Sequence, residues 1–569
     1  SHAEPHGNFD STQTKRDIIQ NNIFGVDIEQ GAVDIARLRF WLALVVDAEE
    51  PQPLPNLDYK ITCGNSLLSR SNLDTPLDNV FVEYNKGKNE EDKLSLAKYK
   101  KLVSDYTNTS NHEKKDLFRK TIEEIKKTFK TELSKKEINK IIGVKKEIYD
   151  LEQPNLFGEE LTKAQKSELK KLKVKLDKLE SEREDILNNK VYEDAFEWRF
   201  EFPQLLDEDG KFTSFDIVIG NPPYVRRTSL PLKEKEVYEY KYTSAYKQYD
   251  LYILFIERGL SIISNKGLLC YINPLRFFNS DYGLKLRQLI VQQYGIKKIV
   301  DISQVDVFKN AMTYPCILQL LGRGHVSETF DFIRIDSKEK IMNIEGVDKL
   351  PISLSLIRND KECRFLIGDK VMSNIINKIE MKSYALSEQF NVARGLPNNK
   401  INFNSQKYSA LKSINVKKYR IEGTPLKIDT DYVDEFVDEM IIMPRTVLYL
   451  QAMIKEKGII CLDRIYYLKP LQYMQNMKGF LGVINSSVVN YWFEYNYWTT
   501  KVAGGYFDLN GNQILSIKCP SDNNILKKIS HIVDDVIYNN SKESIKEIDR
   551  LLYEYYELTE DEIKVIESE

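Results

Sequence analysis

The sequence predicts an α/β fold built on a mostly parallel, doubly wound sheet and joined to further domains. Short apolar segments alternate with helix-like segments between residues 15 and 320, an order typical of parallel sheets with helices on both faces. The apolar run of Phe215, Ile217, Val218 and Ile219 is typical of a strand buried on both faces. The length of 569 residues exceeds one ordinary core and suggests three or four domains.

The elements of the predicted sheet follow in order along the chain. A strand at residues 23–28 ends in Asp27, and the helix after it is expected to be mostly buried because its apolar residues spread around it. A second strand ends in Gly64-Asn65-Ser66, and a third carries residues 215–220. The remaining predictions are a helix at 251–264, a strand at 268–273, a helix at 284–294 and strands at 298–302 and 313–320.

A Lys-, Glu- and Leu-rich segment interrupts this pattern at residues 85–190. Phe118, Ile122, Ile125, Phe129 and Leu133 recur at helical spacing, and leucines after a break at residues 153–155 follow a nearly heptad register. We therefore predict one antiparallel helical hairpin inserted into the α/β domain. A packing or spacing role is expected for it rather than a catalytic one.

The rest of the chain divides by composition. Residues 329–384 are expected to form a connector, and residues 385–569 a further domain closed by an acidic, solvated helical tail. The aromatic run at 491–498 is interpreted as helix packing. The sheet domain then comprises residues 1–84 and 191–328, separated by the insertion at 85–190.

Composition limits the possible functions. A net charge of −3 indicates no general attraction to polyanions, so nucleic-acid binding would depend on a local basic face. The six cysteines are dispersed, which indicates reduced, mostly buried thiols in a cytoplasmic protein. No apolar stretch approaches the length of about 18 residues that indicates a membrane span.

Asn221-Pro222-Pro223-Tyr224 directly follows the third strand and is the most informative motif in the chain. The two prolines stiffen the turn and lack N–H groups. The Asn221 side-chain oxygen and the Pro222 carbonyl are then free to accept hydrogen bonds from an exocyclic NH₂, and the Tyr224 ring can stack on the base that carries it. A plain turn is the alternative. Its position at the carboxyl end of a sheet strand favours a binding site.

Four segments occur together in a family-specific order: residues 23–41, 63–67, 216–224 and 249–257. With them the chain resembles the gamma-class N6-adenine DNA methyltransferases, and among these the large type IIG restriction-modification enzymes and their phage-defence relatives. The resemblance implies a Rossmann-like class I methyltransferase sheet, S-adenosylmethionine as methyl donor, double-stranded DNA as partner, and extrusion of the target adenine from the duplex.

The resemblance also assigns roles to residues. Asn221, Pro222, Pro223 and Tyr224 would form the catalytic loop. Asp250 and Tyr252 would form the pocket wall, although a helix start and a core aromatic explain these two residues equally well.

The resemblance also implies a set of cofactor-binding residues. They would be Asp27 for the ribose hydroxyls, Ile28 for the adenine ring, Asn65 and Ser66 in the next strand-end loop, and Asn221. Asp27 could instead cap the following helix. Asn65 stands where the family usually has Asp, and its oxygen can still accept from the adenine amine.

The C-terminal domain resembles the target-recognition domains of such enzymes, on residues 392–396, 479–486 and 504–509. Each candidate there, taken alone, is more often a surface cation or a core aromatic than a DNA contact. The candidate DNA contacts are Arg394, Lys400, Arg445, Lys501 and Tyr506, together with Arg226 and Arg227 after the catalytic loop.

One family element is missing from the sequence. The glycine-rich cofactor loop after the central strand of the sheet should precede Ile23, and residues 1–20 contain no such segment. We therefore expect the central strand and the loop in an upstream portion of the same polypeptide, together with any nuclease. The alternative is a non-catalytic DNA-recognition module. Residues 208–211, which superficially resemble a metal-dependent nuclease site, are interpreted as a turn.

Overall fold

The chain divides into two units in the computed structural model. The first unit comprises Ser1–Asp216, Arg226–Thr243 and Ser261–Ser264, and the second comprises Ile217–Val225, Ser244–Leu260 and Asn265–Glu569. The structure describes residues 11–46, 57, 59–70, 73, 81–82, 84–108, 112–127, 135–152, 163–187, 192, 194–305, 307–308, 314–325, 328–368, 370–472, 476–502 and 505–568.

The first unit contains a pair of short parallel strands and eight helices among its described residues. Gly25 pairs with Ile61 and Asp27 with Cys63, so both strands end at the same edge, as predicted. Its elements are α1 (Ser11–Asn21), β1 (Gly25–Asp27), α2 (Gln30–Val45), β2 (Ile61–Cys63), α3 (Leu96–Asn108), α4 (His112–Lys127), α5 (Lys135–Glu152), α6 (Lys163–Leu187), α7 (Trp198–Glu201) and α8 (Leu232–Lys241).

Helix α2 is less buried than its composition predicts. Val33 and Leu44 are buried, whereas Ile35, Leu38 and Leu42 are exposed. Its apolar residues are spread around the whole helix, and the described neighbours cover only one side of it. The prediction of a mostly buried helix is therefore wrong for the described structure.

The described part of the insertion contains four helices instead of the single hairpin expected. Ion pairs Lys145–Glu180 at 2.8 Å and Lys173–Glu152 at 2.7 Å join α5 and α6, and they identify this pair as antiparallel because one residue number rises as the other falls. Helices α3 and α4 contribute Tyr99, Val103 and Ile125 to a separate buried cluster with Phe81, Phe200 and Leu206. The expected break at 153–155, and Phe129 and Leu133, lie outside the described residues.

A six-stranded sheet dominates the first half of the second unit, and it is mixed. The strand order is β3-β4-β6-β5-β7-β8. Its elements are β3 (Phe215–Gly220), α9 (Leu251–Ile262), β4 (Ile263–Pro274), α10 (Leu284–Gln293), β5 (Gly295–Asp301), β6 (Pro315–Leu321), β7 (Thr329–Arg334), α11 (Lys338–Met342), β8 (Leu350–Ser353) and α12 (Leu354–Asn359).

The mostly parallel arrangement that the sequence predicts is corrected by these pairings. β6 lies antiparallel to both β4 and β5, β8 lies antiparallel to β7, and β5 and β7 are parallel. The described sheet is therefore mixed and not mostly parallel.

Strand β3 is an edge strand in the described sheet. Ile217 is 66% exposed and Ile219 is 79% exposed. The expectation that this strand is buried on both faces is therefore wrong, because burial depends on neighbours and β3 has a described partner on one side only.

The segment expected to be a connector extends the sheet instead. β7 pairs with β5 and β8 pairs with β7. The alternation of Phe330 and Phe332 with polar residues has the period of a strand and explains this outcome. The residues between β7 and β8, with α11, and those after β8 lie outside this sheet.

The C-terminal part combines small sheets with a helical core. Its elements are α13 (Lys370–Met381), β9 (Ser383–Ala385), β10 (Phe390–Arg394), β11 (Tyr408–Leu411), β12 (Val416–Lys417), β13 (Arg420–Ile421), β14 (Leu426–Ile428), β15 (Met440–Pro444), β16 (Thr446–Val447), β17 (Met453–Lys455), β18 (Ile460–Cys461), β19 (Ile465–Pro470), α14 (Met477–Asn485), α15 (Ser487–Tyr497), β20 (Lys501–Val502), β21 (Tyr506–Asp508), α16 (Gly511–Leu515), β22 (Lys518–Pro520), α17 (Asn523–Asn539), α18 (Lys542–Tyr555) and α19 (Glu560–Ser568).

The acidic tail is three packed helices and not one solvated helix. Ile529 of α17, Leu552 of α18 and Ile566 of α19 belong to one buried cluster. The same cluster contains Trp492 and Phe493 of α15, which confirms that the aromatic run serves helix packing. Each tail helix therefore has an apolar face within this core.

No described helix has the length and apolar character needed to cross a membrane. No group of three or more potential metal ligands occurs in the same parts of the chain. Four of the six cysteines are buried, as predicted.

Candidate active site

The Asn221–Tyr224 loop leaves the end of β3 with one exposed amide and one anchored ring. Asn221 is exposed, and its side chain makes no hydrogen bond to the described residues. The Tyr224 hydroxyl donates to the Ile272 carbonyl in β4 at 3.2 Å, and burial raises the pKa of Tyr224 to about 12. The hydroxyl therefore stays protonated at neutral pH and holds the ring in place.

The start of α9 supports this loop. The Leu251 backbone N–H donates to the Val225 carbonyl at 2.8 Å. The Tyr252 ring meets the Tyr224 ring edge-on, with centroids 6.1 Å apart and planes at 80°. Tyr252 is fully buried, and α9 begins directly after Asp250. Tyr252 is thus a core aromatic that also contacts the Asn221–Tyr224 loop.

The predicted cofactor residues of the first unit lie at the shared edge of β1 and β2. The Gly64 N–H donates to the Asp27 carbonyl at 2.9 Å, which joins the two strand-end loops. Asp27 is exposed, and its Oδ1 accepts from the Glu29 N–H at 2.9 Å. Ile28 is 58% exposed beside it. The carboxyl ends of parallel strands are where open α/β sheets bind ligands.

Asn65 is oriented by two hydrogen bonds. Its Oδ1 accepts from the Leu67 N–H at 3.1 Å, and its Nδ2 donates to the Tyr238 hydroxyl at 3.1 Å. Because an amide oxygen has two lone pairs, Oδ1 retains one acceptor position for a ligand. The Ser66 carbonyl accepts from Trp198 Nε1 at 3.2 Å, so the backbone of this loop is fixed as well.

Three residues around the end of α8 hold the loop after β2 in place, and the sequence analysis did not predict this role for them. Tyr238 bonds Asn65 as described, Lys241 Nζ donates to the Ser69 carbonyl, and the Tyr242 hydroxyl donates to the Leu67 carbonyl at 2.8 Å. Burial raises the pKa of Tyr238. Tyr238 and Lys241 lie three residues apart on one face of α8, and this spacing was the available signal. Tyr242 follows the end of the helix in an extended conformation.

A model of one protein family matches the segment that carries these two groups of residues. The family is described as the Eco57I restriction-modification methylase, and the match covers residues 21–308, or 288 of the 569 residues. The chain belongs to this family.

Individual relatives of this Eco57I-family chain are restriction-modification proteins. A putative type II restriction enzyme and methyltransferase of Methanocaldococcus jannaschii is 27% identical over 534 residues, which are 85% of this chain and 43% of that protein. The type II methyltransferase M.BstVI of Geobacillus stearothermophilus is 40% identical over 177 residues, 31% of this chain and 28% of that protein. The chain therefore matches less than half the length of these relatives.

Among solved structures, the Eco57I-family chain is similar to the type IIL restriction-modification enzyme MmeI, which was determined in complex with DNA. The similarity has a TM-score of 0.42 at 11% identity and covers 62% of this chain and 56% of that one.

Several predicted DNA contacts of this Eco57I-family chain are paired with carboxylates. Ion pairs join Arg227 to Glu239 at 2.6 Å, Arg394 to Asp463 at 3.0 Å, Arg445 to Asp508 at 2.8 Å, and Lys501 to Glu494. Arg226 is exposed, Lys400 lies 4.0 Å from the centre of the Tyr432 ring, and Tyr506 is exposed at the end of a small sheet. DNA contact by these residues stays a prediction.

Two further features of this family member, a turn and a cavity, include none of the predicted site residues. Asp207 Oδ1 accepts from the N–H groups of Asp209 at 3.0 Å and Lys211 at 2.8 Å, which confirms the turn interpretation of residues 208–211. A cavity of about 680 Å³ in the second unit is lined by residues that include Arg334 and Trp498, and none of the predicted site residues lines it.

Proposed function

We propose that this chain carries the methyl-transfer and target-recognition parts of a restriction-modification enzyme that methylates adenine N6 in double-stranded DNA. One observation carries the proposal: the Asn221 amide stands exposed at the end of a sheet strand, next to a tyrosine ring held by its hydroxyl. An unbonded acceptor beside a fixed aromatic face suits a flat base with an exocyclic amine.

In this proposal, Asn221 and Pro222 bind and orient the amine that accepts the methyl group. The lone pair on adenine N6 is delocalised into the ring and is a poor nucleophile. Asn221 Oδ1 and the Pro222 carbonyl accept the two N–H groups and favour the geometry in which that lone pair points at the methyl group. Catalysis then comes from positioning and from dipoles directed at the developing positive charge, without a strong base.

S-adenosylmethionine is the proposed methyl donor, and it supplies an electrophilic methyl group on a sulfonium. The strand-end residues of the first unit fit its adenosine part. Asp27 offers a carboxylate to the ribose hydroxyls, Ile28 an exposed apolar side chain to the adenine ring, and Asn65 a spare acceptor position to the adenine amine. Ser66 belongs to the same loop, and Asn221 stays a predicted cofactor contact.

Double-stranded DNA is the proposed partner, with the target adenine extruded from the duplex. Stacking on Tyr224 would contribute on the order of 1 to 3 kcal/mol to holding that base. The exposed Arg226 and Lys400 are the first candidates for backbone contacts, since phosphates are bound by accessible cations. Arg227, Arg394, Arg445 and Lys501 would exchange a carboxylate for DNA, and Tyr506 would offer its ring.

Base-resolution sequencing of DNA from cells that express the complete gene product tests this function. We expect N6-methyladenine at one short sequence motif, and none in cells that express the Asn221→Ala variant at equal abundance. Specific DNA binding without methylation would instead favour a non-catalytic recognition module. Methylation that persists in the variant would contradict the proposed site.

We further propose that a strand from another part of the same polypeptide pairs with the free edge of β3. Support comes from the terminal place of β3 in the strand order and from the exposure of Ile217 and Ile219. Unpaired, apolar edge strands are normally covered in native proteins.

Hydrogen exchange measures this pairing directly. In the complete gene product, those amides of residues 217–220 that point away from β4 are expected to exchange at least about tenfold more slowly than in the chain described here, because each of them gains a hydrogen-bond partner. Strand β8, at the opposite end of the sheet order, is the control and should not change. Equal exchange of β3 in both proteins would rule out the added strand.

A further inference from the structure

We infer that Tyr282 is a positioning residue for methyl transfer, which it influences through Tyr252 and Tyr224 without touching the target base. The inference rests on the proposed function, in which Tyr224 stacks on the extruded adenine. Tyr282 lies in the turn after β4, 58 positions beyond the catalytic loop in the chain. All residues of the argument belong to the second unit.

The turn itself is held by a buried cation. It consists of two short 3-10 turns, Leu275–Phe278 and Asp281–Gly283, and leads into α10. Arg287 of α10 is fully buried, and its Nη1 donates to the carbonyls of Phe277 at 2.7 Å and Ser280 at 2.6 Å. Burial lowers the pKa of Arg287 to about 10, so the guanidinium stays charged at neutral pH and keeps both bonds.

The turn closes so tightly that only glycine fits at its end. A Cβ atom on Gly283 would lie 2.1 Å from the Phe277 carbonyl oxygen. The backbone at Phe277 and the backbone after Tyr282 are therefore in direct contact. A turn closed in this way, and bonded to Arg287, presents the side chains of Phe277 and Tyr282 in fixed positions.

Both side chains reach Tyr252. The Phe277 ring meets the Tyr252 ring with centroids 6.1 Å apart and planes at 63°. The hydroxyls of Tyr252 and Tyr282 lie 2.9 Å apart and form a hydrogen bond. Tyr252 is fully buried, so loss of this bond leaves its hydroxyl without water to replace the partner.

Tyr252 in turn supports the ring that is proposed to stack on the base. Tyr224 is fixed at its hydroxyl by the Ile272 carbonyl and on its ring by the edge-on contact with Tyr252. The hydroxyl bond alone leaves rotation about its axis open. The contact with Tyr252 restricts that rotation, and stacking on a base requires one defined ring plane.

The test is a double-mutant cycle of the two hydroxyls in the complete gene product. Tyr282→Phe and Tyr252→Phe are each expected to lower the single-turnover methylation rate roughly 3- to 10-fold, because the first leaves the buried Tyr252 hydroxyl unpaired and the second removes the other end of the same hydrogen bond. The double variant removes both hydroxyls and is expected to return to within about twofold of the wild-type rate. Each single variant should also show less fluorescence from 2-aminopurine placed at the target position.

Tyr294→Phe is the matched control, because it removes a hydroxyl of another buried tyrosine that accepts from Arg323 at 3.1 Å. It should leave the rate and the fluorescence unchanged. A wild-type rate in Tyr282→Phe, or a double variant as slow as the product of the two single effects, would overturn the inference while the proposed function stands. A wild-type protein that transfers no methyl group to adenine would overturn both.

Discussion

Replacement of Asn221 by alanine is expected to lower the rate of methyl transfer by about 10²- to 10³-fold, the usual effect of removing one preorganised polar group at a reacting centre. The structure explains why the loss would fall on catalysis. The Asn221 side chain is exposed and makes no hydrogen bond to the described residues, so its removal leaves no buried partner behind. The thermal midpoint of unfolding should remain unchanged.

Two further variants serve as comparisons for the methylation rate of Asn221→Ala. Asn221→Asp keeps an acceptor oxygen in the same place and is expected to retain more activity than Asn221→Ala. Asn524→Ala removes an equally exposed amide at the start of α17 and should have the wild-type rate. An undiminished rate in Asn221→Ala would show that the loop does not hold the reacting amine.

Local patterns located the elements well because each pattern depends on nearby residues. Strand β3 and the helix starting at Leu251 occur at the expected positions. The same is true of the strand-end loops that carry Asp27 and Asn65. In each case an apolar run followed by polar or turn residues is sufficient to predict the end of an element.

Strand direction and burial could not be predicted in the same way. β6 is an ordinary apolar strand by composition, and its antiparallel place between β4 and β5 depends on the path of the chain after β5. Ile217 and Ile219 are as apolar as any core pair, and their exposure reflects the neighbours of β3. Both properties belong to the assembled sheet and not to one segment.

The residues that hold the candidate site in place could not be predicted from nearby sequence either. Tyr238, Lys241 and Tyr242 bond residues that precede them by 173, 172 and 175 positions. The segment of the first unit around the end of α8 thereby holds the loop that is proposed to bind cofactor.

The second large effect is expected at Asp27, where replacement by alanine should weaken S-adenosylmethionine binding by about 10- to 100-fold, as expected for the loss of charge-assisted hydrogen bonds. The carboxylate stands exposed at the end of β1, beside the exposed Ile28 and at the same edge as Asn65. Titration calorimetry of the complete gene product with S-adenosylmethionine measures the change.

Asp27 also holds a turn, so a loss of affinity alone would not identify its role. Its Oδ1 accepts from the Glu29 N–H at 2.9 Å, and Asp27→Asn keeps an oxygen for that bond while it removes the charge. Asp34→Asn removes a nearby exposed carboxylate that accepts from Gln30 on the same helix. If ribose hydroxyls bind Asp27, Asp27→Asn weakens binding clearly more than Asp34→Asn does. Equal losses would assign the effect to general charge, and full affinity in Asp27→Ala would remove Asp27 from the cofactor site.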